Sequence, residues 1–483
     1  MAIQKYKDTI KLRNLGINGV IREAIVDSTS TLYPEGALTS AVNVHFDRMG
    51  GITQRNGATV IGLNLAGTCY GVYNAMFSNS GSNRLISVFS DGTYNKAYIW
   101  QGGTWVASLG GDTKDLKTRF ATFGDNVIRV NGTDNMKCWD GGSLWITTGD
   151  PINVDDIAGT ATAYIEVFKN KVYTAGNSTK PDRLFYSSVV SSAGNITWDP
   201  SNDWIDINPN DGENISALKR YATELLVFKP NYIYRFRTEA IEPDPLVKVG
   251  TRSQESIVEG KNGLYFCHDT GFYKYTGGYP EEISRPISDF IDAMNVSNAE
   301  SVVAWKDNDH IYFSIGDVTV SGTDYTNVVI RYTESSQVWT IYSYATQPTY
   351  ATDYDDGTTL FRVWGDDAGR IFKDNLGTAD RITAISHNFE TKWYDFENVA
   401  EKKILKEIVC ICEKAQGSKV FYKIDGSDTW RSIGQINKFR TKFSQLKIPF
   451  HRIKFKVSGI SSQEAAVFQG FEIVSMVNEG VID

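Results

Sequence analysis

The residues that could do chemistry are few and scattered. Five histidines stand at 45, 268, 310, 387 and 451, too widely separated for a metal-ligand spacing. The chain holds no G-x-S-x-G elbow, no phosphate-cradling G-x-x-x-x-G-K-[ST] loop and no H-E-x-x-H pair. Carboxylate pairs occur at Asp155-Asp156, Asp355-Asp356 and Asp366-Asp367, where acid–base work or a calcium ion would be conceivable chemistry. All three lie in stretches that read as turns, where Asp is common because its side chain bonds nearby backbone N–H groups. A sialidase would need an arginine cluster, a Tyr–Glu nucleophile pair and turns of the form S-x-D-x-G-x-T-W. The sequence offers two degenerate copies of that turn, Ser90-Asp91-Gly92-Thr93-Tyr94 and Asp425-Gly426-Ser427-Asp428-Thr429-Trp430. The expectation is no catalytic residue, no metal and no cofactor. His268 and His310 are expected in comparable turn or rim positions.

Cysteines stand at 69, 138, 267, 410 and 412. Their number is odd and no C-x-x-C occurs, so neither a zinc site nor a disulfide framework is indicated and reduced thiols in a reducing cytosol are expected. The closest pair, Cys410-Ile411-Cys412, is read as two thiols on opposite faces of one strand.

Charge is distributed more tellingly. The chain carries a net −8, yet Thr429 to Gln463 holds eight basic residues and no acidic one, which leaves −16 for the remainder. Lys438, Arg440 and Lys442 alternate with Phe439 and Phe443, and Arg452, Lys454 and Lys456 alternate with Ile453, Phe455 and Val457. With a period of two, each set takes one face of its strand. If the two strands are neighbours, six cations cover one sheet surface, either as a plain solvated face or as a docking face for something acidic. The acidic counterpart is the stretch Asp199–Glu213, where Asp199, Asp203, Asp206, Asp211 and Glu213 are expected to protrude from one face as a channel or rim loop.

The elements that must carry these residues are strands. Of 483 residues, 41% are hydrophobic, 12% aromatic and 42 are Gly, which points to an all-β globular protein with more than one core. A net negative charge argues against a general DNA-wrapping protein. The N-terminus lacks a signal-peptide core, and no window approaches the ~18 apolar residues of a membrane span. Ser256–Ser284 divides into four short β-branched and aromatic runs separated by Gly, Asn and Asp turns, an antiparallel meander that needs copies of itself to cover both faces. The copies recur. Turns centred on Asn83, Asn126, Asn170, Glu224, Asn262, Asn308 and Asp356 each precede a Val-, Ile- or Tyr-rich strand, at intervals averaging about 45 residues.

That beat predicts a β-propeller of about seven blades (six to eight) over residues 61–376. An extended arm, 1–60, precedes it and is expected to close the ring or reach a neighbour. A β-sandwich of six strands, 377–483, follows. One short helix is expected over Ile287–Met294, with its apolar positions 287, 290, 291 and 294 on one face.

Four stretches together resemble a known family. They are Asn43–Gly57 (NVHFDRMGGITQRNG), Leu225–Arg237 (LLVFKPNYIYRFR), Gly271–Ile291 with its Ile-Ser-Arg-Pro-Ile ending, and Ile448–Gly459 (IPFHRIKFKVSG). The chain is similar to the tail nozzle or tail hub proteins of short-tailed bacteriophages, the propeller-bearing family that includes packaged-DNA stabilisation proteins. The resemblance implies a structural virion protein, assembled in the host bacterial cytoplasm as a ring of probably six copies in the phage tail. The ring would extend the DNA channel, retain the packaged genome and let it pass at ejection. Implied partners are copies of the chain, the portal-adaptor ring, tail fibres or other tail proteins, and phage DNA held without sequence specificity. The alternatives are a receptor- or glycan-binding tail propeller and a sialidase-type glycosidase.

Overall fold

A computed structural model describes residues 9–22, 31–77, 82–142, 145, 151–191, 194–236, 241–243, 248–461 and 464–478. Among these, six separate antiparallel sheets of three or four strands stand as blades, over residues 69–113, 119–139, 164–206, 217–243, 258–282 and 350–373. Between the last two, Val303–Asp307, His310–Val320, Thr323–Thr333 and Val338–Ser343 fill the remaining sector and then run on into a ten-stranded sheet. The first strands of successive sheets pack side by side around a common axis, and Tyr350–Asp355 returns to Cys69–Phe77 to complete the circle. The protein is a β-propeller.

Burial explains the arrangement. The second strand of the fourth blade, Glu224–Lys229, is buried along its whole length. Leu225 and Val227 point to the third blade, against Phe168 and Leu184, while Leu226 and Phe228 point to the fifth, against Leu264 and Phe266. Alternation in a strand thus supplies two apolar faces, and each needs a neighbouring sheet. Six of the seven landmark turns fall where the first strand of a sector gives way to the second, while Asn83 lies at the start of the second strand and the connection before it is outside the described residues. The expected helix is also present as Ser288–Asp292 behind a 3-10 turn, with Ile287, Phe290, Ile291 and Met294 in one cluster.

The N-terminal arm serves two structures. Leu38–Val42 lies between Val338–Ser343 and Thr383–Thr391, so it stitches the propeller to the terminal sheets. Ile10–Arg13 and Ile52–Gln54 both pair with Val467–Asn478 in a seven-stranded sheet. That sheet faces the outer part of the ten-stranded one across a shared core, in which Ile408, Cys410 and Phe471 meet Phe389, Phe455 and Val457. This is the sandwich. Thr59–Val60 then adds the outer strand to Ile371–Lys373, so the arm closes its own ring. The Cys410–Cys412 expectation fails here. Residues two apart in a strand share a face, and both thiols lie in the sandwich core.

A two-residue strand is a slender closure, since each hydrogen bond contributes about 1 kcal/mol net. Arg55 reinforces it. Its fully buried guanidinium donates twice to the Asp380 carboxylate (2.8 and 2.6 Å), to Asn43 Oδ1 (2.8 Å) and to the carbonyls of Asn56 (2.9 Å) and Ser343 (3.0 Å). The Tyr344 ring lies 4.1 Å from it. Asn43 adopts a left-handed φ of 58° and accepts from Ser343 N as well. Next to this knot, Gly57 leaves no room for a Cβ against the Ala379 carbonyl. Replacing Arg55 by Ala strands a buried Asp380 and should lower unfolding stability by about 3–5 kcal/mol in denaturant titration. Arg55→Lys, with three donors for five acceptor contacts, should recover little of it.

Candidate functional site

Polar groups converge where the inner strands begin, at the mouth of the propeller axis. Arg119 opens the inner strand of the second blade, and its Nε lies 2.6 Å from Glu255 Oε1, in the 3-10 turn that leads into the fifth. Those blades are not neighbours: the third and fourth separate them on one side, and the first, the last and the shared sector on the other. The ion pair therefore crosses the axis. Lys117 joins it, with Nζ 3.2 Å from Glu255 Oε2 and 2.9 Å from the Glu300 carbonyl. Arg119 also donates to the Ala163 carbonyl at 3.0 Å and stands 4.6 Å from the Tyr164 ring.

Burial by itself would raise the Glu255 carboxyl, but the charges of Arg119 and Lys117 outweigh it and hold the pKa down at about 2. A carboxylate locked in its ionised form by two cations is no proton donor near neutral pH. The cluster is a tie across the ring.

The acidic stretch does not form one rim. Trp204–Asp206 crosses the blade and divides it. Asp199 and Asp203 precede that strand and lie at the face of the first-to-second-strand turns, while Asp211 and Glu213 follow it at the opposite face. This corrects the single protruding loop. Asp199 caps its own turn through Ser201 N and Asn202 N (3.1 and 3.2 Å), and Asp206 pairs with Arg183 at 2.8 Å. Asp211 and Asp182 both lie 2.8 Å from the ammonium of Lys229, a fully buried lysine at the end of its strand. Glu213 accepts from the Asn231 backbone at 2.9 Å and from the Asn231 amide. Hydrogen bonding to Lys229 and to the Glu213 backbone more than offsets burial and keeps Asp211 below the usual carboxylate range.

The basic residues divide as well. Arg440 and Lys442 lie on Arg440–Phe443, at the edge of the seven-stranded sheet, with Lys438 in the turn before it. Lys454 and Lys456 lie on Ile453–Ser461, in the ten-stranded sheet on the other side of the sandwich core, with Arg452 just ahead. The two strands are not neighbours and the six cations do not share one surface. Lys454 is buried, and it shares Glu390 with Lys456 at 3.3 and 3.2 Å under the Trp430 ring. Arg452 stands 5.5 Å from Trp393. Arg440 is exposed and shares Glu472 with Arg13 (2.7 and 2.8 Å), and Lys442 reaches Glu407 at 2.8 Å.

Asp91 caps its hairpin through Thr93 N and Tyr94 N and pairs with Lys96 at 2.6 Å. The second degenerate box lies in the hairpin between Lys419–Ile424 and Arg431–Gln435 of the sandwich, away from the axis. His268 ends its strand, whereas His310 begins one, so they lie at opposite faces of the disc. Burial, with Arg331 adding to it, pushes His45 down to about 4 and His310 to about 3, and burial alone brings His387 to about 4. Among the described residues no group of His, Cys, Asp and Glu could hold a metal ion, and no helix is long and apolar enough to cross a membrane.

Arg119, Glu255, Lys229 and Arg55 were not legible as a site. Arg119 and Glu255 lie 136 positions apart. The one local signal was a cation closing the wholly apolar run Leu-Leu-Val-Phe-Lys, which on a buried strand demands acidic partners.

No family model matches the chain, and no curated protein matches it. Solved structures align with it distantly. A chain described as YCF48 bound to D1 peptide aligns at 12% identity with a TM-score of 0.41, covering 66% of this chain and 94% of that one. The Pan2 WD40 domain of Neurospora crassa aligns at 7% identity with a TM-score of 0.40, covering 66% and 95%. Sqt1 of Saccharomyces cerevisiae aligns at 9% with a TM-score of 0.40, covering 66% and 98%. At TM-scores of 0.40 and 0.41 these are distant alignments, and the propeller assignment rests on the strand pairing itself.

Glu255→Gln should destabilise the protein by on the order of 3 kcal/mol near neutral pH, because the largely buried Arg119 and the more exposed Lys117 lose their counter-charge. The folded carboxyl sits at about 2 against about 4.5 unfolded, so its contribution is complete above pH 4.5 and is lost as pH falls toward 2. Acid unfolding followed by tryptophan fluorescence should therefore be less steep in the variant across that window.

Proposed function

We propose that the chain is a structural component of a bacteriophage tail and acts as a ring-forming conduit, with no catalytic chemistry of its own. The observation that carries this reading is where the four family-like stretches fall. Asn43–Gly57 holds the Asn43–Arg55 knot that joins arm, propeller and sandwich. Leu225–Arg237, described as far as Phe236, supplies the two central strands of the fourth blade. Gly271–Ile291 runs from a blade strand into the helix that packs against the shared sector. Ile448–Gly459 contributes a strand to each sheet of the sandwich. Each is a joint of the framework, which is what similarity would preserve in a protein that works by shape.

The transaxial ion pair fits the same reading. A passage for DNA would lie between copies, and each propeller would be a solid wall element. The lumen needs no sequence-reading contacts, and a net charge of −8 disfavours adhesion of a duplex to that wall. The portal-adaptor ring, tail fibres or other tail proteins and the virion location belong to this proposal.

Sedimentation of the purified chain, alone or with its portal complex, should give a ring near six times 53.9 kDa. The ring should loosen as salt rises, because exposed ion pairs are screened beyond about 8–10 Å. Turnover of a sialoside, or glycan binding by a stable monomer, would replace this reading by one of the alternatives.

A further inference from the structure

Ring formation needs two different surfaces on one chain, one entering and one receiving. The entering surface is at the edge of the seven-stranded sheet. In the turn ahead of Arg440–Phe443, Phe439 is 55% exposed between Lys438 and Arg440. An aromatic held out in water between two cations has the composition of an interface anchor. The turn is ordered before any partner arrives. Thr441 Oγ1 accepts from Asn437 N and Lys438 N at 3.2 Å each, and Cys412 N donates to the Phe439 carbonyl at 2.9 Å. Preorganisation lowers the entropy lost on docking. The local charge is in excess too, since the single carboxylate of Glu472 faces both Arg13 and Arg440.

The receiving surface is on the propeller, at the face of the first-to-second-strand turns. Two cavities of about 520 and 440 Å³ adjoin there, and both are lined by Ser82 and Arg84. Phe77, Trp100 and Tyr354 supply apolar wall. Asp125 and Asp140 line the cavity on one side of Arg84, and Asp355 and Asp356 the one on the other, with Asp356 also 3.9 Å from Lys373, so acidic groups outnumber cations along the groove. Met76 and Leu360, both largely exposed, lie on strands that border it.

We propose that the Lys438–Phe439–Arg440 turn of one copy seats in the Arg84 groove of the next, with Phe439 against the aromatic wall and the two cations facing the flanking carboxylates. The occupant is a second copy because the charges complement and the two surfaces lie on different domains, so the contact propagates from copy to copy. This deepens the ring reading and rests on it. Lys454 and Lys456 are excluded from the contact, being engaged by Glu390 within their own chain.

Sedimentation velocity of the full-length chain tests the contact. Phe439→Ala should weaken self-association by at least about tenfold, the loss of a buried aromatic anchor. Lys438→Glu with Arg440→Glu gives a chain whose turn and groove are both acidic, and Asp140→Lys with Asp355→Lys gives one whose turn and groove are both basic. Each double variant alone should stay monomeric yet folded, with a wild-type circular dichroism spectrum and a cooperative melt lowered by no more than the lost Arg440–Glu472 pair or turn caps account for. An equimolar mixture of the two should assemble, because each turn then meets a groove of opposite sign. If wild-type rings form and all three variants form them equally well, the contact is wrong and the ring reading stands. If the mixture fails to recover assembly, the pairing of turn with groove is overturned. If the wild-type chain stays monomeric at every salt and concentration, alone and with its portal complex, the contact and the ring reading fall together.

Discussion

A guanidinium buried without water is tolerable only when every N–H finds an acceptor, and Arg55 satisfies that demand by drawing together parts of the chain that are far apart in sequence. Asn43 and Asn56 belong to the arm, Ser343 to the last strand of the shared sector, and Asp380 to the segment that enters the sandwich. Removing any of them leaves a charge or a donor stranded in an apolar surround, a penalty larger than the net value of the bonds themselves. The knot thus acts less as glue than as a constraint on geometry. Leu38–Val42 also pairs with Val338–Ser343 on one side and Thr383–Thr391 on the other, so propeller and sandwich share one continuous sheet.

The same pattern governs the charged groups elsewhere. Lys229 is enclosed by Asp182 and Asp211, Arg129 by Asp112, and Arg119 by Glu255, each pair within 2.8 Å. Ion pairs of this kind add little net stability over apolar packing, but they select one arrangement of blades because alternatives would bury bare charge. They also remove carboxylates that a formal count would assign to the surface. The acidic stretch from 199 to 213 is the clearest case, since Asp206 pairs within the third blade while Asp211 and Glu213 bind Lys229 and Asn231 of the fourth.

How far the sequence could be read follows from the range of the interactions involved. Blade rhythm is local: the turn chemistry at Asn126, Asn170 or Asn308 and the alternation behind it lie within one hairpin, and these three positions landed at the same joint of their sectors. The helix at Ser288–Asp292 and the sandwich strand Lys419–Ile424 were legible for the same reason. Sheet membership is not local. Nothing near Arg440 or Lys454 says that their strands join different sheets, so periodicity gave the wrong neighbour, and it also missed that Lys438 and the exposed Phe439 lie in a turn and that Lys454 is buried. The Arg119–Glu255 tie spans more than a hundred residues and the Arg55–Asp380 pair more than three hundred, distances over which no spacing rule operates. The common face of Cys410 and Cys412 follows from a period of two alone, which places residues two apart on one face, here the sandwich core.

Pairing between Ile10–Arg13 and Gly470–Ile473 has a consequence for synthesis. Lys11 meets Glu472, so 461 positions separate strands that share a ladder. At the translation rates of about 5–20 residues per second typical of protein synthesis, the arm waits on the order of half a minute to a minute and a half for its partner to leave the ribosome. Throughout that interval the blades can form but the sandwich cannot, and the first strands remain open edges on which nascent chains could pair with one another. Production of this protein is therefore most exposed to aggregation while it is being made, and slower translation lengthens that exposure in direct proportion.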